Sequence, residues 1–127
     1  SDIEQVVTNL IGSGIEFLYV PTDNEIAANM QLVARLCNEA GVITICGEDG
    51  MLSDNGIITV GSVNYVSLGK MTGEMGAQVL NGTKAGDIEI TGLPVENLSL
   101  VINKKAAAAA NITIPQALLD KADTVVE

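Results

Sequence analysis

The sequence predicts an α/β fold, a parallel sheet with helices on both faces. Three observations carry this. Short apolar runs at 15–20, 42–46 and 57–60 have the length and composition of buried strands. Longer stretches with apolar residues at helical spacing lie between them. The first two runs are separated by a connection of about 20 residues, long enough for a right-handed crossover between parallel strands.

The elements follow in order. Ile3, Val6, Val7, Leu10 and Ile11 recur at helical spacing, so 2–12 reads as an amphipathic helix, ended by Gly12 and Gly14. The run 15–20 is a buried strand stopped by Pro21. A helix over 25–40 carries Ile26, Met30, Val33, Ala34 and Cys37 on one face and closes at Gly41. Either Asp23 or Asn24 can cap it; the reading takes Asn24 as the cap. A second strand at 42–46 turns at Gly47-Glu48-Asp49-Gly50. Residues 50–56 form a short helix or loop broken by Asn55-Gly56, and a third strand follows at 57–60. A helix over 64–81 is capped by Asn64 and ends at Asn81-Gly82. A polar linker at about 82–92 leads to a last strand at 95–102, where Leu98, Leu100 and Ile102 alternate. The alanine run at 106–110 forms a helix, and Pro115 opens a final short helix.

The 127 residues fit one domain with a largely aliphatic core. Phe17, Tyr19 and Tyr65 are the only aromatics. Six basic residues against sixteen acidic ones give a net charge of −10, which repels a phosphate backbone and excludes nucleic acid as a partner. No stretch approaches the ~20 apolar residues that span a bilayer. The N-terminus lacks the basic and apolar regions of a signal peptide. Cys37 and Cys46 read as two buried free thiols. With no histidine in the chain, a Ser-His-Asp triad and a conventional zinc site are excluded, and Cys46 has no base to activate it. Neither a P-loop nor a dinucleotide fingerprint occurs. The expectation is a chain without a cofactor, a metal or catalytic activity.

In open parallel sheets, ligands bind beyond the carboxyl ends of the strands. Three loops, 21–24, 47–50 and 61–65, occupy that edge. Thr22, Asp23 and Asn24 present a hydroxyl, a carboxylate and an amide before the N–H groups of a helix start. An anionic group suits those N–H groups and an ammonium suits Asp23. Glu48 and Asp49 are sequence neighbours that point apart, so they suit an ordinary turn or the acceptance of ligand donors better than paired acid/base work. Tyr65, beside Asn64, either stacks on a ligand or packs as core. Gly69, Gly73 and Gly76 share one face of helix 64–81 and imply close approach by another element. Lys70 and Glu74 between them exclude a membrane dimer motif.

Taken together, Leu18-Tyr19-Val20-Pro21-Thr22-Asp23-Asn24, Gly47-Glu48-Asp49, Asn64-Tyr65 with Leu68-Gly69-Lys70, and Leu100-Val101-Ile102-Asn103-Lys104-Lys105 leading into Ile112-Thr113-Ile114-Pro115 resemble the ABC transporter substrate-binding proteins of the tryptophan and tyrosine type. The resemblance runs through essentially the whole chain. It implies a type I periplasmic-binding-protein architecture, with two Rossmann-like lobes around a solute cleft. On that resemblance this chain is the C-terminal part. Residues 1–61 and about 95–127 would belong to the C-terminal lobe, and about 62–92 would cover an N-terminal lobe that the chain lacks. That lobe would also supply the element that the glycine face meets.

The implied function is capture of a small solute, an amino acid with an aromatic or apolar side chain, for an ABC permease outside the cytoplasm. Thr22, Asp23, Asn24, Glu48, Asp49, Asn64 and Tyr65 would line half of the cleft. If Asn24 caps its helix, Thr22 and Asp23 are left to touch solute. One departure stands out: Asn64 occupies a position where the resemblance leads one to expect an acidic residue. Two other functions fit the same fold: the effector-binding domain of a transcriptional regulator, and a small α/β enzyme. The apolar face of helix 64–81, with Leu68, Met75 and Val79, is expected to fold back on the sheet or to pair with a second copy.

Overall fold

In the computed structural model, which describes residues 2–127, the chain divides into two compact units. The first comprises the residues up to Ser62 together with Ser99–Glu127, and the second is Val63–Leu98.

The first unit starts with α1 (Asp2–Gly12), β1 (Phe17–Val20), α2 (Asn24–Ala28), α3 (Met30–Glu39), β2 (Ile43–Cys46), α4 (Gly50–Ser53) and β3 (Ile58–Thr59). Then β4 (Ser62–Val63) leads out of it. The second unit holds α5 (Tyr65–Leu80) and two 3-10 turns, Ala85–Asp87 and Val95–Asn97. The chain returns through β5 (Leu98–Ser99), which pairs with β4 as a separate two-stranded sheet. It ends with β6 (Val101–Asn103), α6 (Lys104–Ala109), α7 (Gln116–Leu119) and β7 (Thr124–Val126).

The main sheet has the order β1-β2-β3-β6-β7. Three of its pairings are parallel, with Tyr19 opposite Ile45, Cys46 opposite Thr59 and Ile102 opposite Val125. The fourth is not: β3 and β6 run antiparallel, with Ile58 opposite Ile102. The sheet is therefore mostly rather than wholly parallel. The chain leaves β3 at the carboxyl edge and returns to that same edge, so β6 must run back the other way.

Each face of the sheet has its own core. One contains Val7, Val20, Met30, Val33, Cys37, Cys46, Met51 and Leu52. The other contains Ile57, Ile58, Ile102, Ala106, Ala107 and Ala110. Helices are thus needed on both faces, as the unbroken apolar strands imply. Two fully buried threonines serve the backbone inside this core. Thr44 Oγ1 accepts from Ile57 N–H at 2.9 Å, and Thr59 Oγ1 accepts from Val101 N–H at 3.0 Å. They satisfy donors that short strands leave without a ladder partner. Asn103 is also buried: its Oδ1 caps α6 at Ala106 N–H and its Nδ2 donates to Leu52 O.

The structure departs from the sequence reading at three further places. The helix expected over 25–40 is two helices, because the Asn29 side chain donates to Glu25 O at 2.8 Å and its backbone leaves helical geometry. A side-chain amide competing for the i−4 carbonyl interrupts the ladder there. The strand expected over 95–102 is a 3-10 turn followed by two short strands. Finally, β7 was not anticipated, since Thr124, Val125 and Val126 are too short a run to signal a strand.

In the second unit, no residue of α5 is buried among the described residues. A Cβ added at Gly69, Gly73 or Gly76 would meet nothing within 4 Å. The close approach expected on that face is therefore not made by any described residue.

Candidate solute site at the carboxyl edge

The parallel order of β1, β2 and β3 brings their carboxyl ends to one edge of the first unit. The reversed β6 adds its own start, and hence Ser99, to the same edge.

The loop after β1 and the loop after β2 are locked together. Gly47 N–H donates to Val20 O at 2.8 Å, and Thr22 Oγ1 donates to Gly47 O at 3.2 Å. A Cβ at position 47 would lie 2.7 Å from both the nitrogen and the Oγ1 of Thr22. Only glycine permits this approach without displacing backbone.

Asp23, not Asn24, is the cap of α2. Its backbone is extended, and its Oδ1 accepts from Glu25 N–H at 2.9 Å and from Ile26 N–H at 3.0 Å. Asn24 is the first helical residue. The expectation that Asn24 caps and leaves Asp23 for solute is reversed. Extended dihedrals at 23 put its carboxylate over the first turn, where capping geometry requires it. The same bonds occupy two of the N–H groups that a ligand anion would otherwise use.

Asp49 behaves differently. It stands at the N-cap position of α4, yet its side chain makes no capping bond. Its N–H donates to Ser62 Oγ at 3.1 Å. Its carboxylate accepts from Ser99, whose Oγ lies 3.3 Å from both oxygens. Glu48 is half-buried and Asp49 is exposed. Thr22, Asp23, Asn24, Glu48 and Asp49 therefore share one edge of the first unit. Asn64 and Tyr65 belong to the second unit. There Asn64 Oδ1 caps α5 by accepting from Ser67 N–H at 3.0 Å. Tyr65 is 65% exposed, so it does not pack as core.

Sequence reasoning placed Ser62 in the edge loop 61–65 but gave it no role, and it missed Ser99 altogether. Ser62 is 2% exposed. The signal for Ser99 was hidden because it fell inside the strand expected over 95–102, and in a wholly parallel sheet the start of that strand lies at the opposite edge.

Cys37 and Cys46 are free and buried. Burial pushes Cys37 up to about 11 and Cys46 up to about 12. For Cys46 a hydrogen bond with Thr44 acts the other way, and the charge of Glu48 adds to the rise. Both thiols are inert fillers rather than nucleophiles. Among the described residues, no group of three or more Cys, Asp or Glu side chains could hold a metal ion. No described helix is long and apolar enough to cross a membrane.

An α/β unit with polar loops gathered at the carboxyl edge of its strands defines a small-molecule-binding class of protein. The chain belongs to the ABC transporter substrate-binding protein family, whose model matches residues 1–126. This is a family of solute-binding proteins.

A curated relative, the tyrosine-binding protein of Clostridioides difficile (strain R20291), is 34% identical over 112 residues, covering 88% of this chain and 31% of the relative. A solved ABC domain in complex with L-Trp from Streptococcus pneumonia is 30% identical with a TM-score of 0.81, covering 98% of this chain and 41% of that one. A conserved domain protein from Vibrio cholerae shares the fold at 23% identity, with a TM-score of 0.83 over 98% of this chain and 40% of that one. The chain thus spans about a third to two fifths of the length of these relatives.

Proposed function

We propose that this chain supplies part of the solute-capturing body of an ABC importer, and that the solute is an amino acid with an aromatic side chain. The observation that carries the reading is the carboxyl edge of the first unit. There a hydroxyl (Thr22), an amide (Asn24) and the carboxylates of Asp23, Glu48 and Asp49 gather at the position where α/β sheets bind ligands. Asp49 suits an α-ammonium best, because its carboxylate is exposed and is engaged by a neutral hydroxyl, whereas Asp23 is committed to its helix. Asn64 and Tyr65 are further candidates carried by the second unit. The relative named for tyrosine binding and the solved neighbour holding L-Trp support the aromatic amino acid.

On this reading, residues 1–61 and about 95–127 form the C-terminal lobe of a two-lobed binding protein, and about 62–92 cover its N-terminal lobe. The protein works outside the cytoplasm and delivers its solute to a permease, binding without turnover. The open glycine face and the uncovered apolar residues of α5 suit packing against that lobe, or pairing of two copies through helix 64–81 when it is missing.

Titration calorimetry of the full-length protein with Tyr, Trp and Phe tests the reading. Saturable heat is expected for at least one of them, weakened about tenfold or more by Asp49→Asn, as loss of a charge-assisted contact implies. Absence of heat for all three overturns the aromatic amino acid.

A further inference from the structure

Asp49 occupies a cap position and does not cap. An aspartate there ordinarily accepts from the N–H groups of its helix through its side chain, and Asp23 does so one loop away. Asp49 is instead held by residues remote in sequence, one at its backbone and one at its side chain. Buried Ser62 fixes the backbone by accepting the Asp49 N–H at 3.1 Å. Ser99 fixes the carboxylate by donating its hydroxyl, 3.3 Å from each oxygen. These two serines are not arbitrary positions. Ser62 is the last residue of the first unit before the chain crosses out, and Ser99 is the first after it returns. The loop that carries Asp49 is therefore tied to both crossings.

We propose that Ser62 and Ser99 are positioning residues for solute binding, holding the exposed Asp49 carboxylate at the carboxyl edge ready for the α-ammonium of an amino acid. The proposal deepens the functional reading above and rests on Asp49 being part of the solute site. The chemistry of the pair fits the task. A carboxylate has about four lone-pair sites, and one hydroxyl proton leaves most of them for an incoming cation. A hydroxyl also orients the carboxylate without cancelling its charge, which a lysine or arginine at position 99 would do. Ser62 contributes only an acceptor to a backbone N–H, so it sets where the loop stands and not what charge it carries.

The test uses the full-length protein and the amino acid that gives the strongest calorimetric signal. Ser99→Ala is expected to weaken binding about five- to tenfold, the size of one hydrogen bond to a charged group at an exposed site. Ser99→Thr, which keeps the hydroxyl, is expected to restore it. In an Asp49→Asn background the same Ser99→Ala change is expected to add little, because both act through one carboxylate. A 3-arylpropionic acid, which lacks the α-amino group, is expected to bind equally to wild type and Ser99→Ala. Ser62→Ala is expected to speed hydrogen exchange at the Asp49 amide without solute present.

If Asp49→Asn weakens binding while Ser99→Ala and Ser62→Ala leave it unchanged, the positioning role is overturned and the Asp49 assignment stands. Additivity of Ser99→Ala with Asp49→Asn likewise overturns it. If Asp49→Asn has no effect, the assignment itself fails, and the positioning role with it.

Discussion

The two units are built from similarly aliphatic sequence, and only one of them makes a core. In the first, the strands carry apolar side chains to both faces and helices cover each face, so Met30, Ile57 and Ile102 have no measurable exposure. In the second, α5 offers Leu68, Met75 and Val79, yet none of its residues is buried among the described residues. Val66 and Leu80 are 84% and 90% exposed. The lesson is that an amphipathic helix buries its stripe only if a second layer exists to receive it. Val63–Leu98 holds a single long helix and two short turns, so it supplies no such layer itself.

Substitutions that remove or add volume test this contrast most directly. Ile102→Ala, on the interior strand β6, is expected to cost about 2–5 kcal/mol in urea unfolding, because it deletes fully buried methylenes and leaves a cavity. A loss below about 1 kcal/mol would mean that the sheet interior is far looser than its burial indicates.

Alkaline pH sharpens the same point from the charge side. The unfolded thiols ionise near their ordinary value, while burial keeps Cys37 protonated to about 11 and Cys46 to about 12. Above the unfolded value the unfolded state binds fewer protons than the fold. Their contribution to stability is therefore complete below about pH 9 and is lost as pH rises toward the folded values. The urea midpoint is expected to fall as pH rises from about 9 toward 11, with a shallower slope in Cys46→Ala. An unchanged slope in that variant would show that other groups dominate the alkaline limb.

The smallest expected effect has the opposite sign and belongs to the second unit. Gly73→Ala adds a Cβ that meets nothing, so it is expected to stabilise α5 by up to about 1 kcal/mol, read as helicity or as slower exchange of the α5 amides. Destabilisation in the full-length protein instead would reveal an element packed closely on that face.

Much of the fold was legible because β1, β2 and β3 lie in short apolar runs closed by Pro or Gly, and the apolar period marks the helices between them. Pro21, Gly41 and Gly47 mark boundaries that local chemistry alone enforces. The loops that carry Thr22, Asp23, Glu48 and Asp49 were legible for the same reason, since loops that follow parallel strands share an edge. Asn64 was read correctly as the cap of α5, because the helical pattern begins directly after it.

Other features were not legible, and each failure has a physical cause. Whether Asp23 or Asn24 caps α2 depends on which residue adopts extended dihedrals after Pro21, and both side chains can cap. Asn29 interrupts its helix through a side-chain bond that competes with an apolar period favouring continuation.

The sequence by itself determined the α/β class, the family and the polar loops that follow the parallel strands. These follow from periodicity, turn residues and motif order, all local properties of the chain. Only the tertiary structure decided that β6 runs antiparallel to β3, that Ser99 therefore reaches the carboxyl edge of β1–β3, and that Asp49 is held by Ser62 and Ser99 instead of capping its own helix. Strand direction and hydrogen bonds between distant residues depend on where the chain goes between them, and no local pattern records that path.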